Sequence, residues 1–398
     1  MVDIKQAVIL AGGEGIRLRP LTYEVPKPMV PVNNRPFLEY LIEMLKANGI
    51  SEVVLLLGYL PEKVTQHFGD GSSLGVNIKY SIGKVSDKTG TRIRNAGNLL
   101  DDLFLLMYGD NYWPLNLERL SRFYARQKTL ASTTVYANKD GLGEYGLENN
   151  IYVDKEGYVV KYDKLRKDKD LNGVDIGFFV VNRQVLELMP KSDFSFEEEI
   201  LPILVKKRQL SGYLTEHRYH YITSPQSLEA AGKYLQPKKI VLLDRDGVIN
   251  RKAAEHDYIK SWSEFEFLPG AVEAMRLLTK SGYETYVITN QRGIALGLMS
   301  ESDLQVIHKR MKEELEKNGA TIKAIYYCPH SDDDRCDCRK PKPGMLFRTA
   351  SEHDFDLPNA TFIGDDQRDV EAGSAADCTV IMVKPGHSLL DIVRYLLK

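Results

Sequence analysis

The chain has 398 residues, 43% hydrophobic and 27% charged, which is an ordinary globular composition but too long for one core and suited to two domains. Collagen-like, coiled-coil, mucin-like and largely disordered organisations are excluded. Fifty-three lysines and arginines against 55 aspartates and glutamates leave a net charge of −2. No global basic field therefore recruits nucleic acid or anionic membrane, and an anionic substrate must be held by a local site.

No run of about 18 apolar residues is present to span a bilayer. The opening Met1-Val2-Asp3-Ile4-Lys5-Gln6 lacks the sections of a signal peptide. The expectation is a cytoplasmic protein without a membrane or nucleic-acid partner. Three of the four cysteines crowd into positions 328–338, which points to a metal before a disulfide.

Short β-branched runs alternate with longer amphipathic stretches, the pattern of an α/β protein. Residues 6–10, 53–57 and 103–108 read as buried parallel strands, 36–48 as a helix closed by Gly49, 176–182 as a strand and 226–235 as a helix. Gln236-Pro237-Lys238-Lys239 then breaks the pattern, and it restarts. Strands are predicted at 240–243, 284–288, 325–327, 360–363 and 380–383, with helices at 271–281 and 300–318. The last of these helices starts on a Ser300/Asp303 capping box. Domains are placed at 1–236 and 239–398. Both are expected to be Rossmann-like three-layer units, and they share no repeated motif.

After the first strand comes Leu10-Ala11-Gly12-Gly13-Glu14-Gly15-Ile16-Arg17, with Lys27 ten residues on between Pro26 and Pro28. Glycines let backbone N–H groups approach phosphate oxygens, and arginine adds a charged fork. The string is neither a Walker A nor a spaced Rossmann fingerprint. Residues 10–31 resemble the opening of sugar-1-phosphate nucleotidyltransferases, and the resemblance runs through most of residues 4–235. It implies attack of a sugar 1-phosphate on the α-phosphorus of an NTP with release of pyrophosphate. Arg17 and Lys27 would stabilise the triphosphate charge, Gly12, Gly13, Gly15, Asn98 and Lys164 would bind substrate, and Asp110 would hold Mg²⁺. The chain departs from the family at Ile16, at the reduced base-binding segment 94–98, at Asp163-Lys164 and at Tyr221, where a second metal-binding aspartate is usual.

In the second half, Asp244-Arg245-Asp246 follows a strand, so that two carboxylates can converge on one phosphorus as nucleophile and general acid/base. Thr289-Asn290, Arg339-Lys340 and Gly364-Asp365-Asp366 come after it in order. These motifs match the haloacid dehalogenase (HAD) superfamily of phosphatases. The match implies that Asp244 is the nucleophile, Asp246 the acid/base, and Thr289 and Lys340 the phosphoryl grip. Mg²⁺ would lie among Asp244, the Asp246 carbonyl and Asp365, with Asp369 supporting from beside.

Cys328, His330, Cys336 and Cys338 form a set suited to structural Zn²⁺ with all four positions filled. Residues 244–250, 289–297 and 336–345 resemble the D-glycero-D-manno-heptose 1,7-bisphosphate 7-phosphatase family. That resemblance makes Arg339 and Asn290 substrate contacts, with histidinol-phosphate phosphatase as the alternative. Cys378 reads as a core thiol, and His256, His308, His353 and His387 as surface or packing residues.

A heptose bisphosphate phosphatase yields what a sugar-1-phosphate nucleotidyltransferase consumes. The expected function is therefore bifunctional synthesis of an activated heptose, with GMP transferred from GTP. Two readings stay open beside it: a phosphatase with a non-catalytic nucleotide-sugar-binding first half, and a pair acting on other metabolites. The sequence is compatible with a homo-oligomer.

Overall fold

The computed structural model describes residues 2–139, 141–254, 257–384 and 386–398, so His256 lies outside the described residues. Contacts divide the chain into two compact units, Met1–Leu235 and Gln236–Lys398.

The first unit is built on a seven-stranded sheet. From edge to edge its strands are Leu210–Thr215, Ala131–Tyr136, Val174–Asn182, Leu103–Tyr108, Gln6–Leu10, Glu52–Leu57 and Asn77–Ile82. Gln6–Leu10 runs parallel to both of its neighbours, while Val174–Asn182 runs antiparallel to its own. The central strands read as unbroken apolar runs because both of their faces are buried. Ala7, Ile9 and Leu55 belong to one core and Val8, Leu10 and Leu56 to the other. Helices such as Phe37–Ala47 cover the sheet, giving a three-layer α/β unit.

The second unit repeats this logic on a five-stranded parallel sheet, ordered Ala324–Cys328, Tyr283–Asn290, Lys239–Leu243, Thr361–Gly364 and Thr379–Met382. Val241 and Leu243 face one core, and Ile240 and Leu242 the other. Helix Glu301–Lys317 starts on the Ser300/Asp303 capping box. The central strand Lys239–Leu243 delivers Asp244 at its C-terminal end, where ligands of parallel sheets bind. Cys378 is buried in the second of these cores. His353 packs against the Tyr286 ring, His387 is exposed, and His308 is buried. Among the described residues no helix is long and apolar enough to cross a membrane.

Candidate active sites

In the first unit the loop after strand Gln6–Leu10 turns sharply at Gly15, whose φ is +64°. A Cβ there would sit 2.8 Å from the Lys27 side chain, so glycine is what lets the loop and Lys27 come together. The Thr22 hydroxyl donates to the Gly15 carbonyl at 2.9 Å and fixes the turn.

The loop forms one wall of a cavity of about 990 Å³ that is also lined by Gly12, Gly13, Arg17, Lys27, Asp110 and Lys164. The Lys27 ammonium is paired with the Asp110 carboxylate and lies 3.3 Å from the Thr223 hydroxyl. Arg17 is exposed and paired with Glu144 at 3.2 Å. Lys164 reaches Glu198 at 2.9 Å.

Asn98 is not among the residues lining this cavity. It is exposed on the turn Gly97–Leu99, beyond helix Thr89–Asn95, and the start of that helix makes the wall instead. Arg92, from the same helix, is a cavity residue that the sequence reading missed. Its guanidinium donates to the carbonyls of Leu57 (2.8 Å), Gly12 (3.3 Å), Lys84 (2.8 Å) and Val85 (3.0 Å). It thereby ties the glycine loop to the opposite wall. Tyr221 pairs with Asn111 in a short antiparallel ladder beside Asp110. Its ring centroid is 5.7 Å from that of Tyr219, and burial with the Glu144 charge raises its phenol pKa. That position therefore offers no carboxylate.

In the second unit the Lys340 ammonium, 3% exposed, bridges Asp244 at 2.9 Å and Asp369 at 2.6 Å and also donates to the Ile288 carbonyl at 2.9 Å. Asn290 fixes the Lys340 backbone by a reciprocal pair of bonds, at 3.0 and 3.1 Å. Burial pushes the Asp244 carboxyl up to about 7 against the pull of Lys340.

Carboxylate oxygens of Asp244, Asp365 and Asp369 lie within 4.8 Å of one another. Asp369 is committed: one oxygen takes Lys340, and the other accepts the amides of Asp365 and Asp366 at 3.1 and 3.0 Å. Asp365 pairs with Lys252 through Oδ2 at 2.6 Å, while its Oδ1 is buried without a hydrogen-bond partner. An orphaned carboxylate oxygen beside a second carboxylate is a donor set for a hard cation such as Mg²⁺.

The Asp246 carboxylate accepts from Arg245, from Asn250 at 2.8 Å and from Gln291 at 2.9 Å. These contacts hold its pKa below the usual range despite burial. Gln291 also donates to the Thr289 hydroxyl at 2.9 Å. Arg339 is buried and paired with Asp332 at 2.6 Å.

Cys328, His330, Cys336 and Cys338 converge, with Sγ···Sγ distances of 3.7 and 3.3 Å and Sγ···Nδ1 distances of 3.6 and 3.3 Å. A metal held tetrahedrally at about 2.3 Å by sulfur sets its ligand edges near ~3.8 Å, so the cluster has nearly the spacing a zinc ion needs.

The sequence profile of the nucleotidyl transferase family matches residues 6–256. The chain belongs to that family. The match extends past Leu235 into the second unit, and the HAD-hydrolase-like profile matches residues 337–394. A D-glycero-beta-D-manno-heptose-1,7-bisphosphate 7-phosphatase of Pseudomonas aeruginosa is 42% identical over 149 residues, 37% of this chain and 83% of that protein. A D-glycero-alpha-D-manno-heptose-1,7-bisphosphate 7-phosphatase of Campylobacter jejuni is 42% identical over 146 residues, 36% of this chain and 82% of that protein. The chain thus joins a nucleotidyltransferase to a HAD-type phosphatase. A Bacillus anthracis structure described as a glucose-1-phosphate thymidylyltransferase in complex with sucrose superposes with a TM-score of 0.51 at 19% identity. It covers 57% of this chain and 93% of that one, and it shows the shared fold.

Proposed function

We propose that this chain makes an activated heptose in two steps. The second unit removes the 7-phosphate of D-glycero-D-manno-heptose 1,7-bisphosphate. The first unit then transfers a nucleotidyl group, GMP from GTP, to the heptose 1-phosphate. The observation that carries the reading is the Lys340 ammonium shared between Asp244 and Asp369 next to the unpartnered oxygen of Asp365. The heptose substrate is taken from the relatives that are 42% identical, and GTP from the resemblance of the first half.

In the phosphatase, an Asp244 oxygen bonds to phosphorus as the bond to the sugar oxygen breaks. Asp246, whose pKa is low on its own and rises beside a phosphate dianion, enters protonated and gives that oxygen its proton. Water then attacks the aspartyl-phosphate while Asp246 takes its proton. Phosphate leaves and Asp244 is regenerated. Thr289 and Lys340 hold the phosphoryl oxygens throughout, and Asp369 and Asn290 hold Lys340. Asp244, Asp365 and the Asp246 carbonyl would bind Mg²⁺, which supplies charge neutralisation when present. Zn²⁺ on Cys328, His330, Cys336 and Cys338 would brace the segment leading to Arg339 and Lys340.

In the transferase, a phosphate oxygen of the sugar 1-phosphate bonds to the α-phosphorus as the bond to the β-phosphate oxygen breaks, and pyrophosphate departs. The amides of the 12–15 loop cradle the phosphates, and Arg17 and Lys27 meet the growing charge. For Arg17 this means exchanging Glu144 for the nucleotide. Asp110 would hold Mg²⁺ together with the substrate phosphates.

The test is turnover by the intact chain on both anomers of the bisphosphate, with each NTP in turn, reading orthophosphate and pyrophosphate separately. One orthophosphate per bisphosphate, followed by GTP-dependent pyrophosphate, is the expected result. Nucleotide binding without pyrophosphate would make the first unit a binding module.

A further inference from the structure

Behind the phosphatase centre lie a buried cation and a buried imidazole that the reaction above does not use. Arg245 sits between the two aspartates of the loop, yet its side chain turns inward and is 0% exposed. Its Nε and Nη2 donate to the Asp246 carboxylate at 3.2, 3.0 and 2.9 Å. Its Nη1 lies 3.1 Å from Nε2 of His308.

A guanidinium has only donors, so this imidazole nitrogen must be the acceptor and the ring N–H must be on Nδ1. Burial and the Arg245 charge agree with a neutral ring, pushing the His308 pKa down to about 3. His308 is 4% exposed on the inner face of helix Glu301–Lys317, on a stripe otherwise made of Leu304, Ile307, Met311 and Leu315. An aliphatic side chain would suit that stripe without the desolvation cost of a ring nitrogen. What only histidine adds there is the acceptor for Arg245.

The other sides of the Asp246 carboxylate are held by Asn250 and Gln291, so among the described residues Arg245 is the contact governed from outside the loop and its neighbouring strand, through His308. We propose that His308, acting through Arg245, is the positioning residue that orients the Asp246 carboxylate toward the leaving-group oxygen. This rests on reading the second unit as a phosphatase that uses Asp246.

A sugar oxygen needs the Asp246 proton as its bond to phosphorus breaks, whereas p-nitrophenolate leaves as an anion and needs none. Misplacing Asp246 therefore penalises the sugar phosphate selectively in the first step, which kcat/KM reports, while hydrolysis of the aspartyl-phosphate slows equally for both substrates. His308→Leu removes the acceptor, and His308→Gln supplies another in much the same place. In the intact protein, His308→Leu should lower kcat/KM on heptose 1,7-bisphosphate roughly 10- to 100-fold, with kcat/KM on p-nitrophenyl phosphate within ~3-fold of wild type. His308→Gln should return the sugar phosphate kcat/KM to within ~3-fold of wild type.

Equal losses of kcat/KM on both substrates, no loss on either, or no rescue by glutamine would each overturn the proposal. Should His308→Leu not fold, Arg245→Lys keeps the charge but loses the fork. The same selective loss is expected there, and an equal loss on both substrates overturns the idea. Wild-type turnover of both substrates, abolished in Asp244→Asn, tests the phosphatase reading separately, and a wild type inert to both would remove that reading itself.

Discussion

At the scale of single residues, the phosphatase centre depends on how little room it leaves. Gly247 has φ +96°, and a Cβ there would lie 2.2 Å from Asp365 Oδ2. Gly247→Ala combines a strained backbone with displacement of the Asp365 carboxylate, which is proposed to hold Mg²⁺. Phosphatase kcat should fall at least ~100-fold with pyrophosphate release unchanged, measured by separate product assays.

In the first unit Asp175 accepts from Thr133 at 2.8 Å and from the Gly177 amide at 3.0 Å, but burial pushes its pKa up to about 6 from 3.8. A carboxyl raised on folding keeps its proton in the native state while the unfolded chain has lost it. Stability should therefore fall as pH rises from about 4 to about 6, by on the order of 3 kcal/mol. Asp175→Asn should flatten that slope in melting curves recorded across the window. A slope left unchanged in the variant would show that other groups carry it.

At the scale of elements, the Cys328, His330, Cys336 and Cys338 cluster is the proposed zinc site. Removing zinc should free the segment from Cys328 to Lys340. Chelation, or Cys338→Ser, should lower the melting temperature of the second unit by several degrees and reduce phosphatase activity while sparing nucleotidyl transfer. Elemental analysis should find one zinc per chain. Its absence, with an unchanged melt, would reduce the cluster to a set of thiols.

Strands buried on both faces, such as Gln6–Leu10 and Lys239–Leu243, were legible because nothing polar interrupts them. Asn77–Ile82 and Leu210–Thr215 were not, because they are sheet edges of mixed polarity. Ala131–Tyr136 hides its strand in a serine-threonine run whose burial depends on distant neighbours. Among site residues, the motif aspartates and Lys340 were nominated by their match to the haloacid dehalogenase motifs, and the fold brings Asp244, Lys340, Asp365 and Asp369 together. Arg92 could not, since its role comes from four backbone carbonyls that only the fold gathers. Asn98 lies outside the cavity wall for a related reason: the turn between helix Thr89–Asn95 and the next strand carries it away.

At the scale of the whole molecule, the chain divides into two compact units, and the proposal gives each its own phosphate chemistry, one on a glycine loop with Lys27 and Asp110, the other on Asp244 with Lys340 and Asp365. The central claim is that these centres work separately and in sequence. The most direct measurement gives the intact chain Mg²⁺, GTP and heptose phosphates and quantifies orthophosphate and pyrophosphate in wild type, Asp244→Asn and Asp110→Asn. Asp244→Asn should abolish orthophosphate release from the bisphosphate yet leave pyrophosphate release from GTP and heptose 1-phosphate within ~2-fold of wild type, and Asp110→Asn should do the reverse. Both products falling together in either folded variant would contradict the account.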